Sequence, residues 1–195
     1  MSLSLVTAPT SEPVTLAQQK LHLRIDTSDD DTYINLCISA AREWVEGQTH
    51  RAIMAQTWNY GIDYGWPFKF GAHRIDLPLN PVPAQTSPST VVITYVDASG
   101  STQTLAQTQY TLVGRRHGSY IVPAYDISWP DVRDVPNAIT VRFLAGNSGS
   151  PVLVPQELHR AILILAGHYY ENRETAIDAP KAVEALISPL RSATF

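Results

Sequence analysis

The chain has 195 residues, 44% of them hydrophobic and 16% charged, with a formal net charge of −4 at pH 7. That length can bury a sizeable core as one domain or as a domain with an inserted module. The acidic balance argues against a dedicated nucleic-acid binder, which carries a basic face. A single cysteine, Cys37, excludes an internal disulfide framework. The longest apolar run, Ala161 to Gly167, falls far short of the about 20 residues that cross a bilayer.

Taken in order, the chain reads helix, helix, β-rich middle, helix, helix. The first residues, Met-Ser-Leu-Ser-Leu-Val-Thr, lack the basic and apolar regions of a signal peptide, so a cytoplasmic origin and no membrane partner are expected. Thr15-Leu-Ala-Gln18 has the form of a capping box and opens a short helix to about His22, with Leu16 and Leu23 inward. Ser28 or Asp29 caps the next helix, and Asp29, Asp30 and Asp31 lie where its dipole favours anions. Ile34, Ile38, Ala41 and Val45 recur on one helical face, with Cys37 and Trp44 beside them. Cys37 in that pattern is a packing residue.

From Gln56 to Phe143 the texture changes. Thr57–Tyr64 alternates with period two, and Arg74–Leu77 is a short strand. Val91–Val96 and Ser101–Leu105 form a hairpin around Asp97-Ala-Ser-Gly100. Tyr110–Val113, Ser119–Val122 and Ala138–Phe143 complete six or seven strands, an antiparallel sheet or small sandwich. The proline-rich stretch Leu77–Thr90 is an extended connector, and Gly146–Pro151 leads back to a long helix that begins near Pro155. Its middle, Ala161–Gly167, is apolar all round, whereas an outer helix would show a stripe. Either the rest of the chain or neighbouring copies cover it. The last helix starts near Asp178 or Ala179, carries Val183, Leu186, Ile187 and Leu190, and stops around Ser188-Pro189. Helices this short do not fold alone. The expected fold is therefore α+β: a small helical core from residues 1–55 and 147–195, with 56–146 as an inserted antiparallel β-rich region.

A search for chemistry returns little. His168-x-x-Glu171 shares a helix face, but His159 points away from it, and no metal-ligand spacing, cofactor fingerprint or nucleophile motif occurs. No catalytic residue, metal or cofactor is expected. Arginine and aromatic residues stand out instead. Only Lys20, Lys69 and Lys181 among the 14 basic residues are lysines, and arginine is the cation that protein interfaces favour. Tyr169, Tyr170 and Arg173 form one candidate contact. Trp66 and Phe68, in Gly65-Trp-Pro-Phe-Lys-Phe-Gly71, form another, either sheet core or exposed anchor. Arg115 and Arg116 occupy a basic turn, for which a phosphate contact is the weaker reading and a solvated hairpin tip or a protein contact the stronger. The tail from Arg191 to Phe195 can order on a partner.

Pro13–Asp26, the acidic run from Asp29 and Ile38–Glu46 resemble the opening of tailed-bacteriophage head–tail connector (adaptor) proteins. Val122–Tyr125 with Trp129-Pro130, the strand Ala138–Phe143, the segment Ala161–Glu174 and Ala185–Arg191 extend the resemblance in order over nearly the whole chain. It implies a non-enzymatic protein of the virion head–tail junction that forms a ring, commonly of about twelve copies, beneath the portal protein. Such a ring lengthens the DNA channel, through which DNA passes without specific binding, and offers a platform to the next neck or tail-completion protein. Two rival readings stand beside it: a binding module whose β-region holds a peptide or glycan, and a hydrolase with an unrecognised site.

Overall fold

Thr15 opens the first helix as its sequence requires. In the computed structural model, which describes residues 1–63, 68–69, 72–83, 90–114, 118–147, 154–173 and 178–191 (68–69 and 72–73 by backbone alone), the Gln18 N–H donates to Thr15 Oγ1 at 3.2 Å and the Thr15 N–H to Gln18 Oε1 at 2.9 Å. Helix α1 (Leu16–Leu23) ends at Arg24, in the left-handed region. Helix α2 (Asp31–Thr49) buries Ile34, Cys37, Ile38, Ala41 and Val45, the face its periodicity predicts. Helix α3 (Gln156–Glu171) follows Pro155, and α4 (Lys181–Ile187) continues into a 3-10 turn, Ser188–Leu190. Pro180 is the cap of α4.

The chain divides into two compact units, Pro9–Met54 with Asn147–Phe195 and Met1–Ala8 with Ala55–Gly146. In the helical unit α3 touches each of the other three helices. Ala161, Ile162, Leu165 and Ala166 are fully buried in one core with Ile34, Ile38, Val183 and Ile187, while Leu163 and Ile164 are half-buried against it. The apolar middle of α3 is thus largely covered by its own chain. Each fully buried Ile or Leu there contributes about 1.5–3 kcal/mol. Where the chain leaves and re-enters this unit, Asn147 donates its N–H and its side-chain amide to the Ile53 carbonyl at 3.1 and 3.0 Å, closing the base of the insertion.

In the β unit the strands are β1 (Ser2–Thr7), β2 (Gln56–Ile62), β3 (Phe68–Lys69), β4 (Ala72–His73), β5 (Ile75–Asp76), β6 (Val91–Val96), β7 (Thr102–Thr104), β8 (Tyr110–Val113), β9 (Tyr120–Pro123) and β10 (Ile139–Ala145). They form an antiparallel five-stranded sheet in the order β1-β2-β10-β6-β7, a three-stranded sheet β5-β9-β8 and the pair β3-β4. Register divides the large sheet cleanly. Tyr60, Val141 and Ile93 lie in one row and Trp58, Phe143 and Val91 in the next, an apolar face that is fully buried at β10 and β6. Gly61, Thr140, Thr94 and Thr104 cross the opposite face. Tyr110 on β8 donates to the Val91 carbonyl at 2.7 Å, joining the small sheet to β6. The β6–β7 turn is built around Asp97, which accepts from the Ser99 hydroxyl, the Gln103 amide and the Ser101 N–H; these donors hold its carboxyl down at about 2.

The fold is α+β, a helical core with an inserted antiparallel β-rich region. One element departs from the sequence reading. The division at residue 55 leaves the first residues in the helical core, whereas Ser2–Thr7 is an edge strand paired with β2 and grouped with the β unit. Ser-Leu-Ser-Leu alternates with period two, but its partner is more than fifty residues away, so local pattern alone does not place it.

Candidate functional site

The polar end of α3 is bound to the start of α2. Asp30, the residue before α2, makes no capping bond with its side chain. It accepts instead from Tyr170 Oη at 2.5 Å and from Arg173 Nη2 at 3.2 Å. The Arg173 guanidinium lies 4.7 Å from the Tyr33 ring centre and 5.2 Å from that of Tyr170, a double cation–π contact. Tyr33 and Tyr170 face each other at 6.0 Å, and the Tyr33 hydroxyl donates to the Tyr169 carbonyl at 3.4 Å. The hydrogen bond from Tyr170, helped by the Arg173 charge, lowers the Asp30 carboxyl below its usual range; the same bond raises the Tyr170 phenol. Burial raises the thiol of Cys37, which packs in the core next to Tyr33.

A second polar cluster ties the body of α2 to the segments before α1 and after α2. Arg42 is buried and donates through Nε to Glu12 at 2.7 Å and through Nη1 to Glu46 at 2.7 Å. Glu12 also accepts from the Ser39 hydroxyl at 3.0 Å, and Glu46 from the Ile53 N–H at 2.7 Å. One guanidinium therefore ties the segment before α1, the body of α2 and the chain leaving it.

Of the residues singled out by sequence, Tyr169, Tyr170 and Arg173 come together, with Tyr169 half-buried against the helical core and Arg173 exposed. Their partners Asp30 and Tyr33 were not among the candidates, because an acidic residue at a helix start already has a local explanation. Arg191 is exposed just past the last turn. Phe68 lies in β3 by its backbone, and its side chain, like Trp66, Arg115, Arg116 and Phe195, lies outside the described residues. Among the described residues no three His, Cys, Asp or Glu side chains gather as metal ligands, and no helix is long and apolar enough to cross a membrane.

Among its charged and polar groups the described surface also carries large apolar side chains. Leu3, Leu5 and Val6 on β1 are each more than two-fifths exposed. Leu21 on α1 and Leu36 on α2 stand out at 82% and 63%, and Tyr125, in the loop after β9, is wholly exposed. Single exposed leucines are ordinary; a set of them, on β1 in one unit and on α1 and α2 in the other, fits a protein that makes contacts.

This geometry, structural cores plus exposed apolar edges, is that of an assembly component. The model of the phage gp6-like head–tail connector proteins matches residues 13–111, just over half of the chain. The protein belongs to that family and is a structural connector of a phage-like particle. A chain from the virion of a native gene transfer agent particle superposes with a TM-score of 0.76 at 26% identity, covering 100% of this chain and 97% of that one. A chain from the neck of the empty particle, computed with C6 symmetry, gives 0.77 at 25% with the same coverage. A third, from the native neck computed with C12 symmetry, gives 0.76 at 24%, again over 100% and 97%, and shares the fold. No curated protein matches the sequence.

Proposed function

We propose that this connector works as a closed ring of about twelve copies at the head–tail junction, docked beneath the portal and presenting a platform to the next neck protein. The observation that carries the reading is the full-length similarity to a chain from a particle neck computed with C6 symmetry, a symmetry that twelve copies satisfy. The ring surrounds the DNA channel and does no chemistry. Its acidity supports that role, since phosphate neutralisation by Lys and Arg creates affinity and a conduit must release its cargo, and the chain carries a net charge of −4. Synthesis in the bacterial host cytoplasm precedes incorporation into the particle.

Negative-stain microscopy tests this on the purified chain, alone and mixed with a portal from the same particle. Rings of cyclic symmetry are expected in at least the mixture. A protein that stays strictly monomeric in both would overturn the ring.

A further inference from the structure

The large sheet ends in two unlike edges, and among the described residues neither has a second partner strand. At one end β1 is exposed along all six residues and pairs only with β2. At the other, β7 is exposed along all three and pairs only with β6. Edge strands normally carry Lys, Pro or inward charges that block pairing with another chain. Neither edge does. No charged side chain occurs from Met1 to Ser11, and none from Ala98 to Gly114. The strand side chains themselves carry no charge, and the nearest charges, the Met1 ammonium paired with Asp63 and the Asp97 carboxylate held by Gln103, are already partnered within the subunit.

The sheet's faces also match across such a join. Leu3 pairs with Tyr60 and Leu5 with Trp58, so both leucines extend the apolar face that Val141, Phe143, Ile93 and Val91 bury. At the far edge Gln103 pairs with Tyr95 and lies on that same face. Strand direction alternates along β1-β2-β10-β6-β7, so β1 and β7 run the same way. A second sheet set edge to edge in the same orientation brings β7 beside β1 as a parallel pair, with Leu5 and Gln103 on a common face.

We propose that the occupant of the β1 edge is the β7 edge of a second copy of this chain. Two different edges at opposite ends of one sheet make a head-to-tail contact, the kind that closes a ring. The inference rests on the ring reading and deepens it by naming the surfaces. A join of six residues against three buries much less than the about 800 Å² per partner of a stable pair. It therefore acts as one contact among several, strengthened when each copy is held by two neighbours.

The test uses the full chain with Leu5→Cys and Gln103→Cys together and each alone, treated with a short thiol-to-thiol crosslinker under conditions where wild-type rings are seen; Cys37 is buried, and wild type controls for it. Both altered positions, Leu5 and Gln103, are exposed, and circular dichroism checks that the variants fold. The double variant is expected to give a ladder of covalent oligomers, and each single variant none. Dimers from Leu5→Cys alone would mean β1 meets β1, and overturn the proposal. Rings without crosslinking of the double variant would overturn it and leave the ring reading standing, whereas absence of wild-type rings under every condition removes both. As a second arm, Leu5→Lys, a charge of the kind that protects natural edges, is expected to lower the ring fraction at least tenfold with an unchanged melting curve; an unaltered ring fraction counts against the contact.

Discussion

Tyr170, on the last turn of α3, donates its phenolic hydrogen to the Asp30 carboxylate that precedes α2, at 2.5 Å and across 140 residues of sequence. Arg173 completes the clasp by donating to the same Asp30 oxygen, Oδ2, and lies over the Tyr33 ring. The sequence reading of Tyr170 and Arg173 as a contact between copies implies that removing both weakens assembly and leaves the subunit intact. The clasp directs part of the effect inward. Tyr170→Ala with Arg173→Ala is expected to lower the melting temperature of the subunit, followed by circular dichroism, with Tyr170→Phe losing less because the ring stacking survives. A double variant that melts with wild type would show the clasp to be idle.

The clasp also has a pH signature. Hydrogen bonding from Tyr170 holds the Asp30 carboxyl below its ordinary value, so its contribution is complete above about pH 4 and is lost as pH falls through the lowered folded value. The Tyr170 phenol is raised by the same bond, so its share is complete below about pH 10 and is lost as pH rises through the raised value. Melting temperatures of wild type and Asp30→Asn should therefore differ across neutral pH and converge toward acid. A gap that is equally wide at about pH 2 and about pH 7 would show that Asp30 is not held as an anion.

Much of this architecture is readable from local pattern. The Thr15–Gln18 capping box, the Ile34–Val45 face and the Val91–Val96 hairpin each depend on neighbours in sequence, and each lies where periodicity puts it. What escapes local reading is long-range pairing. Ser2–Thr7 needs β2 to become a strand, and Asp30 needs Tyr170 to become more than a helix-start anion. Arg42 shows in sequence only its i,i+4 spacing to Glu46: it follows the buried Ala41 on a helix whose core face is already apolar, and its other partner, Glu12, lies 30 residues upstream. The exposed leucines Leu21 and Leu36 are likewise indistinguishable from core leucines until the helices have packed.

Arg42 makes a sharp prediction for stability. It is almost wholly buried, with two carboxylates at 2.7 Å. Removing one partner of a buried ion pair leaves the others uncompensated and costs about 3–5 kcal/mol. Arg42→Ala is expected to lose that much in urea unfolding, with the segment around Glu12 and the Ile53 amide losing hydrogen-exchange protection together. Glu43, the exposed member of the group at 3.4 Å, should matter little: Glu43→Ala is expected to fall within about 0.5 kcal/mol of wild type. Equal losses for both variants would remove the distinction between the buried network and its rim.

Two glycines of similar appearance should respond in opposite directions to the same substitution. Gly61 sits in β2 between β1 and β10, and a Cβ there would run into the side chains of Asn137 and Ser2, which are themselves hydrogen-bonded at 3.1 Å. Gly61→Ala forces those two side-chain ends apart and breaks their hydrogen bond, a cost of about 0.5–1.5 kcal/mol. Gly167 sits in α3 beneath α1, where a Cβ would lie 3.4 Å from His22 Cδ2 and 3.5 Å from the Gln19 amide nitrogen, ordinary packing distances. A methyl group there fits without displacing α1 and removes the backbone freedom that glycine adds to the unfolded chain. Gly167→Ala is therefore expected to stabilise the helical unit by about 0.5–1 kcal/mol. Urea midpoints of the two variants, measured side by side, should move to opposite sides of wild type. A loss at Gly167 as large as that at Gly61 would show that α1 packs on α3 too closely for any side chain.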